Sequence, residues 1–290
     1  MKTIQKLTLG LLTVVASSAA FASNLIIEVN SGSATVSGAI AGTAQKIGAG
    51  TAVMSGTNSS LTNLEINNGE IHAATAAPLG SAIDFKASAS GTSAKLKILS
   101  GAGVAGTPNA VILPGFTMSN PATILAADNT EVRLADIDGG TAMLTLDADT
   151  PATSQDAGVH KLSADLSAQA VPMTVVSDAT LKVGSSVKAP AAAVTMNGLL
   201  QLTAAPDAKA FQGAVTVGAA GTLQVNASVS VPTIDGLIGG AIPTSVADIF
   251  SNAVAGASAN SQGLKFTSGA TLKLGNAAVW ARPITVGSFD

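Results

Sequence analysis

Asp178-Ala179-Thr180-Leu181-Lys182-Val183-Gly184 decides the fold, because it returns elsewhere in the chain. It comes back as Ala220-Gly221-Thr222-Leu223-Gln224-Val225-Asn226 and as Gly269-Ala270-Thr271-Leu272-Lys273-Leu274-Gly275. A looser copy is Met196-Asn197-Gly198-Leu199-Leu200-Gln201-Leu202. The shared element is a turn, then Thr or Leu, then Leu, then Lys or Gln, then Leu or Val. The aliphatic residues point one way and the polar residue between them points the other, as in a strand with one buried face. Some copies stand about 20 residues apart, within the range of solenoid repeats. A single coil cannot bury its inner face alone, so coils stack at about 4.8 Å and share a core.

The same alternation runs outward from these copies. Leu25-Ile26-Ile27-Glu28-Val29, Leu64-Glu65-Ile66, Ile83-Asp84-Phe85, Leu96-Lys97-Ile98-Leu99, Val132-Arg133-Leu134 and Met143-Leu144-Thr145-Leu146 all read as short strands. Asn67-Asn68-Gly69, Asp138-Gly139-Gly140 and Asn197-Gly198 between them are turn chemistry. The reading is an all-β chain: an irregular parallel β-helix, with a β-sandwich as the alternative. Irregular period with constant pattern favours the β-helix. One segment breaks the pattern. Ser245 to Gly256 reads as a short helix, with Ser245 as its cap and Val246, Ile249, Phe250, Ala253 and Val254 on one face, covering an end of the solenoid.

Residues 1–22 read as a secretory signal peptide. Lys2 and Lys6 form the positive start, Leu7 to Val15 the apolar core, and Ala20-Phe21-Ala22 the small-residue cleavage site. Ser17 and Ser18 end the apolar run well short of the roughly 20 residues a membrane span needs. The mature part, 23–290, reads as one domain. Of the chain's 14 basic residues the signal removes two and no acid, leaving 12 against 17 acidic residues, a net charge of −5. No basic face for nucleic acid is visible, and no second segment is apolar and long enough to cross a bilayer.

Composition supports a packed, repetitive body. Charged residues are 11% and aromatics 3%, with no Tyr and no Cys, while apolar residues reach 47%. Ordinary globular domains carry roughly 25% charged residues. Disorder needs the opposite balance.

Lys46-Ile47-Gly48-Ala49-Gly50-Thr51-Ala52-Val53-Met54-Ser55-Gly56-Thr57-Asn58 resembles the opening of the passenger-associated transport repeat of autotransporter passengers. Leu64 to Ile71 and then Leu79-Gly80-Ser81 are similar to that repeat's continuation and ending, and Gln212 to Val225 is a second partial match. The resemblance implies a right-handed β-helix displayed outside the outer membrane, and no catalytic residues. The chain departs from the family in offering no translocator β-barrel with aromatic girdles.

Candidate chemistry is thin. His72 and His160 stand 88 residues apart with no ligand pattern around them, and no Ser lies in a G-x-S-x-G elbow. The best carboxylate cluster is Asp136, Asp138, Asp147 and Asp149. A hairpin around Asp138-Gly139-Gly140 would bring these together, as a solvated turn, a calcium site with hard oxygen ligands, or the acid pair of a glycan-cleaving enzyme. Trp280, the single Trp, is read as an anchor of the last coil, with an interaction surface as the alternative.

The expectation is therefore a non-enzymatic, secreted or cell-surface structural protein, adhesin-like and self-assembling into a matrix or filament. It has no cofactor unless calcium binds the aspartates, and its partners are further copies or host and cell-surface components. The periplasm is the second choice of location. A pilus-like β-sandwich subunit with Asn24 to Val29 left unpaired, and a secreted glycan-active enzyme, are the alternatives.

Overall fold

The computed structural model describes residues 5–9, 25–37, 39–56, 60–86, 94–99, 107–149, 158–184, 187–202, 210–211, 213–225 and 264–274. These form a β-solenoid of about eight turns, built from three parallel sheets.

Sheet I holds β1 (Gln5–Leu9), β2 (Leu25–Val29), β4 (Gly42–Ile47), β6 (Leu61–Ile66), β8 (Ala82–Phe85), β11 (Gly115–Met118) and β14 (Ile137–Asp138). Sheet II holds β3 (Ser33–Val36), β5 (Thr51–Met54), β7 (Glu70–Ala73), β9 (Ala94–Ile98), β12 (Ala122–Ala126), β15 (Leu144–Ala148), β17 (Met173–Val175), β19 (Val194–Met196), β21 (Val215–Val217) and β23 (Leu264–Phe266). Sheet III holds β10 (Asn109–Ile112), β13 (Thr130–Leu134), β16 (Val159–Leu162), β18 (Thr180–Val183), β20 (Leu199–Leu202), β22 (Thr222–Val225) and β24 (Thr271–Leu274).

Sheet II is the continuous spine. Early coils alternate sheets I and II, the middle coils visit all three, and late coils alternate sheets II and III. The paired faces change while the spine does not. Coil length follows: Leu25 pairs with Ala44 and Val194 with Val215, whereas Ile83 pairs with Phe116, a longer circuit.

The alternating pattern sets which side chains go inside. On sheet II the inner column runs Ala34, Ala52, Ile71, Leu96, Ile124, Leu146, Val175, Met196, Val217 and Phe266, every one buried. Stacking identical positions satisfies the backbone between rungs and buries the aliphatic faces together, so the core is a rod rather than a ball. Phe85 and Phe116, on neighbouring rungs of sheet I, meet edge to face at 5.7 Å.

The four sequence copies occupy consecutive rungs of sheet III, residue against residue. Leu181, Leu200, Leu223 and Leu272 stack inward; Lys182, Gln201, Gln224 and Lys273 stack outward. A β-sandwich does not describe this chain, because its strands pair in parallel around successive coils. The segment Leu25–Val29 is not left unpaired either: it is β2, hydrogen-bonded to β4 as an early rung. Strand β1 pairs with β2 and falls within the segment read as the signal peptide. The helix expected at 245–256 and Trp280 lie outside the described residues.

Candidate functional faces

Residues that point outward at one register form columns, and each sheet presents a chemically different one. On sheet II the outward column includes Thr123, Thr145, Thr174, Thr195 and Thr216 on five consecutive rungs. Each sits between two buried aliphatics, as in Met173-Thr174-Val175 and Val194-Thr195-Met196. β-Branching fixes χ1, so hydroxyls and methyls repeat in a stiff row with the rung spacing of about 4.8 Å. Beside this row Met143 is 37% exposed, and the Thr174 hydroxyl donates to its sulfur at 3.4 Å.

Sheet I is acidic. Its outward column runs Gln45, Glu65, Asp84, Thr117 and Asp138. The Lys86 ammonium bridges Glu65 at 2.7 Å and Asp84 at 3.4 Å. Hydrogen bonding to Glu65, with Asp84 adding to it, holds that ammonium above its ordinary range. Counting Glu28, the outward face of β2 to β14 sets four carboxylates against this one cation.

Sheet III is basic. Arg133, Lys161 and Lys182 stack on three successive rungs, continued by Gln201, Gln224 and Lys273 and headed by Ile112, which is 55% exposed. The nearly buried Glu131 carboxylate takes Arg133 Nε at 2.8 Å and lies 3.6 Å from Lys182 Nζ. Here four cations face one carboxylate.

Among the described residues, Lys46 and His160 are titratable groups that point inward. Lys46 occupies the inner column of sheet I between Ile27 and Ile66 and is fully buried. Its ammonium donates to the carbonyls of Ile47 (2.9 Å), Gly48 (2.6 Å) and Asn68 (3.1 Å), so all three donors are used. Burial lowers its pKa to about 8. This contact accounts for the Lys-x-Gly spacing at 46–48: the side chain tethers its own turn and that of the next coil. Gly69 completes the tie. Its φ is +74°, and a Cβ there would collide with the Gly48 and Gly50 carbonyls and crowd the Lys46 ammonium.

His160 occupies the inner column of sheet III, between Val132 and Leu181. Its Nε2 sits 2.9 Å from the Asp147 carbonyl, and its Nδ1 is buried without a hydrogen-bond partner. Donation from Nε2 leaves Nδ1 as a bare acceptor in the neutral ring. Desolvation lowers the pKa to about 4 despite the carbonyl's opposing pull. His72, by contrast, faces outward and pairs with Glu70 at 3.0 Å.

The four aspartates do not meet as a hairpin would make them. Asp136 and Asp138 lie at β14 on sheet I, whereas Asp147 and Asp149 lie at β15 on sheet II. Strands β14 and β15 belong to successive sides of a coil and do not pair with one another. Asp149 is ion-paired with Lys97, and Asp147 accepts from the Ala148 amide at 2.8 Å. Among the described residues no group of three His, Cys, Asp or Glu side chains is placed to hold a metal ion. No described helix is long and apolar enough to cross a membrane.

The threonine and basic columns are not among the sequence expectations, though their signal is there. Thr123, Thr145, Thr174, Thr195 and Thr216 each interrupt an aliphatic pair at intervals of 21 to 29 residues. No protein-family model matches the chain, and no curated protein or solved structure is significantly similar to it.

Proposed function

We propose that this chain is an exported structural protein that works through its outward faces: a secreted or cell-surface, adhesin-like solenoid that associates into a matrix or filament. The observation that carries this reading is the five-rung threonine column on sheet II, beside an exposed Met143. Such a row offers one chemical pattern repeated along the molecule's length, which suits an extended partner and lateral packing better than a small ligand. Low overall charge, 11% of residues, opposes association weakly. The resemblance to passenger repeats supports display outside the cell.

Protease shaving of intact cells tests the reading, with mass spectrometry following peptides from 23–290 against a periplasmic marker. Release without lysis is the expected result. Full protection until the outer membrane is opened would overturn the surface assignment.

A further inference from the structure

We propose that copies of this chain associate side by side, the basic sheet III of one copy docking on the acidic sheet I of the next. This rests on the reading of the chain as a self-associating solenoid and names the surfaces that do it.

Opposite signs are segregated onto different sheets of one molecule. The outward face of sheet I from β2 to β14 carries four carboxylates and one ammonium; that of sheet III carries four cations and one carboxylate. In a chain of which only 11% is charged, that sorting places a large share of its charge on two surfaces. Both surfaces share one ruler. Glu65 and Asp84 are rung neighbours, as are Arg133, Lys161 and Lys182, so both columns advance by about 4.8 Å per step. Two solenoids lying with their axes side by side can therefore set Glu65 and Asp84 of one copy against two adjacent cations of the Arg133, Lys161 and Lys182 run of the other. Complementary potentials of this kind fix register and partner choice more than they add raw affinity.

The stagger is also set. Sheet I spans the early coils and sheet III the later ones, overlapping only between β10 and β14. Docking III on I thus slides one copy lengthwise against the other. The two surfaces differ, so the contact is heterologous and leaves an unused sheet I and an unused sheet III at the outer flanks. Such contacts continue into open arrays unless a ring closes.

Charge reversal in trans tests this, using the full chain expressed with its own leader and purified as the cell processes it. One variant carries Lys161→Glu and Lys182→Glu; the other carries Glu65→Lys and Asp138→Lys. All four positions point outward, and circular dichroism with a melting curve checks that each variant keeps the fold. Sedimentation velocity of the wild type should show concentration-dependent assemblies that dissociate as salt rises. Each variant alone should lose at least tenfold in apparent affinity, and an equimolar mixture of the two should regain it. A milder Lys161→Gln, Lys182→Gln variant should fall between. Wild-type assembly that ignores salt and both variants overturns the docking faces while leaving self-association standing. Wild type that remains monomeric at every concentration overturns both. If that monomer instead binds dextran sulfate through Lys161 and Lys182, sheet III serves a polyanion and the proposal is wrong.

Discussion

Lys46 donates a hydrogen bond to the carbonyl of Asn68, 22 residues later and one coil along, from a position fully inside the solenoid. A buried ammonium is tolerated because three carbonyls replace its water, and those carbonyls depend on it in return.

Replacing it exposes that dependence. Lys46→Met keeps the apolar stem between Ile27 and Ile66 but strands the carbonyls of Ile47, Gly48 and Asn68. Urea unfolding should show a loss of about 3 kcal/mol, from unpaired buried groups at about 1–3 kcal/mol each. Wild type should also gain stability as pH rises from about 8 toward 10.5, where the unfolded chain holds a proton that the folded chain has released. The variant should lack that rise.

Gly69→Ala attacks the same tie from the opposite coil. A left-handed φ of +74° and the Gly48 and Gly50 carbonyls leave no room for a methyl group. Melting should drop markedly, and protection from hydrogen exchange should fall first in β4 to β7, which flank the turn.

Much of this was legible beforehand, and the reasons differ by residue. The Thr180, Leu199, Thr222 and Thr271 segments align rung on rung because a period-two pattern admits one register without exposing its leucines. Lys46 is legible as part of a motif, but not as an inward residue, since its position in the alternation is apolar by pattern and one of its three acceptors, the Asn68 carbonyl, comes from another coil. Asp138-Gly139-Gly140 is good turn chemistry in a hairpin and equally good at a solenoid corner. Only the pairing partners distinguish these, and they are 20 or more residues away: β14 pairs with β11, and β15 with β12. Column chemistry is hidden in the sequence for the same reason, since Arg133, Lys161 and Lys182 become neighbours only after the coils close.

His160 makes the core acid-sensitive. Its pKa is lowered from 6.5 to about 4, so the unfolded chain takes up a proton over that window and the folded chain does not. Stability should therefore be fully present above about pH 6.5 and decline as pH falls toward about 4. Denaturant titrations across the window should show a steeper acid slope for wild type than for His160→Leu, whose side chain matches Val132 and Leu181 on either side. Equal slopes would assign the acid loss to other groups.

Glu131 holds two of the three stacked cations of sheet III together. Glu131→Gln should destabilise the fold by about 1 kcal/mol at low salt, with the deficit shrinking as salt screens Arg133 from Lys161 and Lys182. A deficit that ignores ionic strength would mark the Glu131 contribution as packing.

The spine of sheet II also has a mechanical meaning. Its hydrogen bonds run from rung to rung along the axis, so tension on the two ends opens them one rung at a time instead of shearing a whole sheet at once. The chain has no cysteine to halt the process. A coil such as that from Leu25 to Ala44 would release about 65 Å of thread at about 3.4 Å per residue. Under load such a rod would lengthen in many small steps, giving up one coil before the next.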